Sequence, residues 1–276
     1  MDSGVKVESG LQLVARLQKR PSLNGLDDII FPHGPNPQEV IEIIGEPSSG
    51  KTFLITKFIA KSILPKYFNN IHIGGLDASV VLINIDYHFQ ICKLISLMEN
   101  HLTLCNHNND ESSKLDENCI KHIICTALKN FIMYNCINTF QLLVTFHSIH
   151  NLILNNTEIS LIIIDSISAN YWLDVMNGSV RKMDLYSKNI LEDFQKTLNP
   201  FKVVLMYTRP LYFQSKTRKN EVCSAQPGFG KVNQYVHLFN VSKNTAVYGA
   251  QIITSSQTFT RFYKIHPTDL VFLGGS

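Results

Sequence analysis

The chain has no C-x-x-C pair, no apolar stretch behind its first methionine and no internal repeat. Its six cysteines (Cys92, Cys105, Cys119, Cys125, Cys136, Cys223) are scattered, which argues against a disulfide framework or a zinc ribbon and for free thiols in a reducing compartment. Apolar runs stop well short of the roughly 20 residues needed to cross a bilayer, so the expectation is a soluble intracellular protein with no membrane partner. The net charge of +3 is too mild to act alone as an electrostatic footprint for nucleic acid, and any DNA contact has to be local.

What the sequence does have is apolar material for one substantial core: 276 residues, 45% of them hydrophobic. Residues 8 to 20, ESGLQLVARLQKR, place Leu11, Val14 and Leu17 at helical spacing behind Ser9, a serine cap. PHGPNP (32 to 37) then marks a connector. The expected division is an N-terminal amphipathic helix and linker over 1 to 37, followed by an α/β core over 38 to 276.

Strand and helix patterns alternate through that core, the grammar of a parallel sheet. VIEII (40 to 44), SVVLINID (79 to 86), FIMYNC (131 to 136), SLIIIDS (160 to 166) and KVVLMYT (202 to 208) read as strands. Helices are expected from Lys51 to about Leu64, Phe89 to Leu102, Ile120 to Leu128, Thr139 to Leu154 and Leu185 to Leu198. Residues 104 to 118 are polar enough to read as a flexible insertion, and 209 to 231 as a long polar loop. The tail segments VNQYVHLFNVS, TAVYGAQIITSS and TRFYKIH alternate apolar and polar residues, as antiparallel strands added at one sheet edge would.

The chemistry begins at IIGEPSSGKTFLI (43 to 55), which holds the pattern G-x-x-x-x-G-K-T between a strand and a helix. Gly45, Glu46, Pro47, Ser48, Ser49 and Gly50 would wrap their N–H groups around a phosphate, with Lys51 reaching the β and γ phosphates and Thr52 ligating Mg²⁺. ATP with Mg²⁺ is the expected cofactor. A second acid at the end of a neighbouring buried strand is needed to hold the metal through water. Asp165, closing SLIIID more than a hundred residues later, fits that role better than that of a helix cap.

IIGEPSSGKT, VVLINIDYHF, SLIIIDSISANYW and KVVLMYT, taken in this order, resemble the core of the RecA-type recombinases and their eukaryotic Rad paralogues. ESGLQLVARL, ILPK and DSISANYWLDVMNG narrow the resemblance within the paralogues. It covers most of residues 8 to 210 and implies a RecA-like sheet. It further implies a nuclear subunit of a hetero-oligomeric paralogue complex supporting homologous recombination at damaged DNA, whose neighbour is the D-type Rad paralogue. The short segment ahead of the core agrees with a paralogue that works without the helical DNA-binding domain.

Against the family pattern, two positions depart. Asp86 stands where a glutamate orients the attacking water; being one methylene, about 1.5 Å, shorter, it implies slow hydrolysis. Asp86 reads equally well as a strand-end cap. Arg209 stands near a glutamine that senses the γ phosphate, and reads as a phosphate clamp, a DNA contact or a surface residue. The loop beyond it carries Lys216, Arg218, Lys219 and Lys231 among Tyr212 and Phe213. That mixture suits phosphate pairing and base stacking, or simply a solvated face.

Leu11, Leu13, Val14 and Leu17 are candidates for a partner-docking surface or for packing on the chain's own core. His147 and His150 share a helix face but have no companion ligand at metal spacing. Three functions follow: an ATP-holding interaction subunit, an autonomous DNA-stimulated ATPase, and an unrelated P-loop kinase, disfavoured by the antiparallel tail.

Overall fold

The structure, a computed structural model, describes residues 9–107, 115–179, 182–211, 232–241 and 246–273. Six strands carry the centre of one sheet: β1 (Val40–Gly45), β4 (Ser79–Asn84), β5 (Phe131–Asn135), β6 (Ile159–Asp165), β7 (Val204–Pro210) and β8 (Gln234–Asn240). All their mutual pairings are parallel. Three antiparallel strands, β9 (Tyr248–Ile253), β10 (Thr258–Ile265) and β11 (Leu270–Leu273), extend one side, giving the order β11-β10-β9-β8-β1-β7-β6-β4-β5. A short hairpin, β2 (Tyr67–Phe68) with β3 (Ile71–His72), stands apart.

Every residue of β1, β4 and β6 is buried because both faces of the sheet are covered. Ile41, Leu82, Ile163 and Met206 face one core, shared with α2 (Lys51–Ile63), α3 (Ile91–His107) and α4 (Glu117–Ala127). Val81, Ile83, Ile162 and Leu205 face the other, shared with α5 (Thr139–Asn155) and α7 (Met183–Leu198). A short helix, α6 (Tyr171–Met176), follows the loop after β6. Helix α2 turns Leu54, Ile55, Phe58, Ile59 and Ile63 onto the sheet, each worth about 1.5–3 kcal/mol when fully buried.

Two expectations need correction here. VNQYVHLFNVS is antiparallel on one side only: β8 pairs antiparallel with β9 but runs parallel to β1, with Ile41 opposite Gln234 and Gly45 opposite Leu238. Its alternating pattern reports burial on one face only, which Val236 and Leu238 provide, and says nothing of strand direction. The segment 104 to 118, expected to be flexible, is ordered at both of its ends. Helix α3 runs on to His107, and the Asn106 amide clasps Leu115, donating to its carbonyl and accepting from its N–H, both at 2.9 Å. Leu115 is buried and Asp116 caps α4, so only residues 108–114 of that insertion lie outside the described residues.

The first described segment, residues 9–20, is fastened to the second core. Ser9 and Gln12 form a capping box on α1 (Gly10–Gln18). Beyond it Arg16 donates to the Leu154 carbonyl, and Arg20 to those of Ile153, Asn156 and Ile159. Two cations thus meet the negative end of α5. Among the described residues no helix is long and apolar enough to cross a membrane, and Cys92, Cys105, Cys119, Cys125 and Cys136 form no disulfide with one another.

Candidate nucleotide site

β1 ends in the glycine that opens the loop, and α2 begins at Lys51, so residues 45 to 50 bridge a buried strand end and a helix N-terminus. A Cβ on Gly45 would lie 2.6 Å from both the Leu238 carbonyl oxygen and Ser49 Oγ, and Gly50 sits at φ 88°. Only glycine fits at either place. Ser48 also takes a left-handed φ, of 60°, completing a tight curl. Glu46, Pro47 and Ser48 are exposed along it.

Lys51 lies across the curl, its ammonium donating to the carbonyls of Gly45 at 3.0 Å and Glu46 at 2.8 Å. Burial lowers its pKa, against the nearby charges of Asp165 and Asp86. Below, the Thr52 hydroxyl donates to Asp165 Oδ2 at 2.9 Å, and the Thr208 hydroxyl donates to Oδ1 of the same carboxylate. Asp165 is nearly fully buried. Burial first, and the charge of Asp86 second, raise its pKa to about 6, while the two threonine hydroxyls and Lys51 pull the other way.

Pairing in the parallel strands places Asn135, Asn84 and Asp165 side by side at the strand ends, with Thr208 beyond them. Asn84 donates to Asn135 Oδ1 at 2.8 Å. This polar row and Thr52 together form a floor under the loop.

The residues suit a polyphosphate with a divalent cation. The curl is glycine-built because side chains at Gly45 and Gly50 would meet Leu238, Ser49 and Ile265. Ser49 Oγ is buried with no partner among the described residues. Thr52 and Asp165 offer the hard oxygen donors that Mg²⁺ prefers, in the small number it takes when phosphates and waters complete its shell. No cluster of three or more ligating His, Cys, Asp or Glu side chains occurs among the described residues, so a dedicated protein cage for a metal is not what this site offers. His147 is exposed and His150 packs edge-on against Phe201.

The other sequence-derived residues divide. Asp86 lies on the turn after β4, its carboxylate accepting from the His88 N–H and standing 3.1 Å from His88 Nδ1. It caps this turn rather than the helix, which begins only at Ile91. Arg209 is not a surface residue: it belongs to β7, is 6% exposed, and its Nε donates to Glu42 Oε1 at 2.7 Å. Burying a guanidinium requires such a partner, and Glu42 on the adjoining strand supplies it. Lys216, Arg218, Lys219 and Lys231 lie outside the described residues.

On α1, Leu17 packs against the second core, Leu11 and Val14 are exposed, and the Leu13 side chain is outside the described residues. Tyr171 is buried against Tyr186, whereas Trp172 is exposed. Sequence reasoning missed Thr208 and Glu42. The only signal for either was a polar residue interrupting an apolar strand.

No family model matches the chain. Over 175 residues it is 33% identical to the mouse DNA repair protein XRCC2, an overlap of 63% of this chain and 56% of that protein. It is 25% identical over 211 residues to the Arabidopsis thaliana DNA repair protein XRCC2 homolog, covering 66% of this chain and 57% of the relative. The chain therefore spans a little over half the length of these curated relatives. The resemblance to a Rad paralogue of the recombinase superfamily, read from the motifs, is borne out by these two proteins, to which this chain is similar.

Proposed function

We propose that this chain is an ATP- and Mg²⁺-binding recombinase-paralogue subunit acting in homologous recombination and double-strand break repair in the nucleus. It works within a hetero-oligomer of Rad paralogues, with the D-type member as neighbour, that assists recombinase filaments on DNA. The repair role rests on the similarity to the mouse and Arabidopsis proteins. The observation that carries the nucleotide role is the Thr52 to Asp165 hydrogen bond beneath a glycine-built phosphate loop, since it joins two halves of a metal site from positions 113 residues apart.

When bound, Mg²⁺-ATP supplies the charges that Lys51, Thr52 and Asp165 are placed to meet. Hydrolysis by the chain alone is weak. A general base needs a free carboxylate within reach of the water, and Asp86 is engaged by His88. Arg209, held by Glu42, does not signal the state of a γ phosphate to the loop that follows. Leu11 and Val14, exposed on an anchored helix, are the proposed partner contacts on α1.

The test is co-expression with a D-type Rad paralogue, followed by single-turnover hydrolysis with and without single-stranded DNA. A stable complex that retains ATP and turns over little is expected. DNA-stimulated turnover by the isolated chain would replace this reading with an autonomous ATPase.

A further inference from the structure

The phosphate loop is held from outside as well as by its own residues. Tyr263, on β10, is fully buried, and its hydroxyl donates to the Ser49 carbonyl at 2.6 Å across 214 residues of sequence. Its ring stacks on Tyr248, with centroids 5.5 Å apart and planes 21° from parallel, and lies against Phe272. Two residues on, Ile265 Cδ1 comes within 2.8 Å of where a Gly50 Cβ would stand.

The turn joining β10 to β11 is in turn fastened to the helices behind the loop. Lys57 on α2 donates to the Leu270 carbonyl at 2.9 Å and stands 3.1 Å from the Asp269 carboxylate. Lys93 on α3 donates to the Pro267 carbonyl. A planar trans peptide points its C=O and N–H in opposite directions. Fixing the Ser49 carbonyl therefore fixes the direction of the Gly50 N–H, at the residue whose left-handed backbone opens α2.

We propose that Tyr263 is a positioning residue for the phosphate loop: its hydroxyl, delivered by the β10–β11 hairpin, holds the Ser49–Gly50 peptide in the orientation that receives phosphate. The C-terminal antiparallel strands thereby set the chain's affinity for polyphosphate. The ordering of the loop stands on the geometry alone; its consequence for affinity rests on the nucleotide-binding reading above.

Tyr263→Phe keeps the stacked ring and deletes only the donor. Two measurements on the full chain decide the matter. The first is amide hydrogen exchange over residues 45–52 without nucleotide, and the second is titration with ATP and with inorganic tripolyphosphate. Exchange in the variant is expected to quicken about three- to tenfold in the loop alone, with a melting temperature lowered by no more than about 5 °C. Affinity for both ligands should fall by about the same three- to tenfold, the range one hydrogen bond commands.

Unchanged loop exchange overturns the proposal. So does exchange that rises throughout β9–β11 together with a melting temperature lowered by well over about 5 °C, which would make the hydroxyl a packing element of the hairpin. Faster loop exchange with unaltered affinity for either ligand overturns the affinity half. If the parent chain binds neither ligand, the proposed nucleotide function fails, and loop exchange still decides the role of Tyr263.

Discussion

Thr208 and Arg209 are consecutive on β7 yet face opposite sides of the sheet and meet opposite chemistry. On the α2 side, Thr208 joins Asp165, Asn84 and Asn135 in a polar row beneath the phosphate loop. On the α5 side, Arg209 is consumed by Glu42, with Tyr207 packed beside the pair. One face keeps polar groups ready for an incoming ligand, while the other neutralises its charges internally. A strand can thus carry a binding floor and a sealed core at neighbouring positions, because its side chains alternate.

The largest effect should come from opening the sealed face. Glu42→Ala takes away the carboxylate that the buried guanidinium meets and should cost about 3–5 kcal/mol in urea unfolding. The double variant Glu42→Leu with Arg209→Met should recover most of that loss, since an apolar pair of similar volume avoids the desolvation cost.

On the open face the expected sign is the reverse. Asp165 has its pKa raised from 3.8 to about 6, so the folded protein binds this proton more tightly than the unfolded chain does. The metal-free protein should therefore gain stability as pH falls from about 6 toward 4, and bear the cost of the buried charge at neutral pH. Asp165→Asn should remove up to about 3 kcal/mol of that cost at pH 7 and flatten the dependence across this window, as thermal melts at several pH values would show. A variant less stable than its parent at pH 7 would mean that the two threonine hydrogen bonds outweigh burial.

Lys51→Ala comes next. Removing a charged donor should weaken ATP binding about ten- to hundredfold and leave unfolding of the nucleotide-free protein nearly unchanged, which calorimetric titration and urea unfolding together would check.

The motif at the loop was readable because its requirements are local: two glycines, a lysine and a threonine act through neighbours a few residues away. Asp165 was readable because an acid closing a continuous apolar strand has few other uses. Arg209 was not, since its partner stands 167 residues away and only strand pairing brings the two together. The direction of β8 was hidden for a related reason: period-two alternation records which face is buried, and β8 buries one face in a parallel pairing as readily as in an antiparallel one. Tyr263 looked like any aromatic residue of an edge strand, and its hydroxyl gained meaning only beside Ser49.

The smallest effects lie on α1, where the same contrast recurs on one short helix. Leu17→Ala should cost about 1 kcal/mol through lost packing, whereas Leu11→Ala, at an exposed position, should stay within about 0.5 kcal/mol in unfolding. If Leu11 is a partner contact, its loss should appear only as weakened retention of the D-type paralogue.

The most direct test of the account is an equilibrium titration of the purified chain with ATP in the presence of Mg²⁺, run beside Lys51→Ala, with the bound nucleotide recovered and identified. Saturable binding in the parent, greatly weakened in the variant, with the nucleotide returned as ATP, is the predicted result. Absence of binding, binding indifferent to Lys51, or recovery of ADP from the chain alone would contradict it.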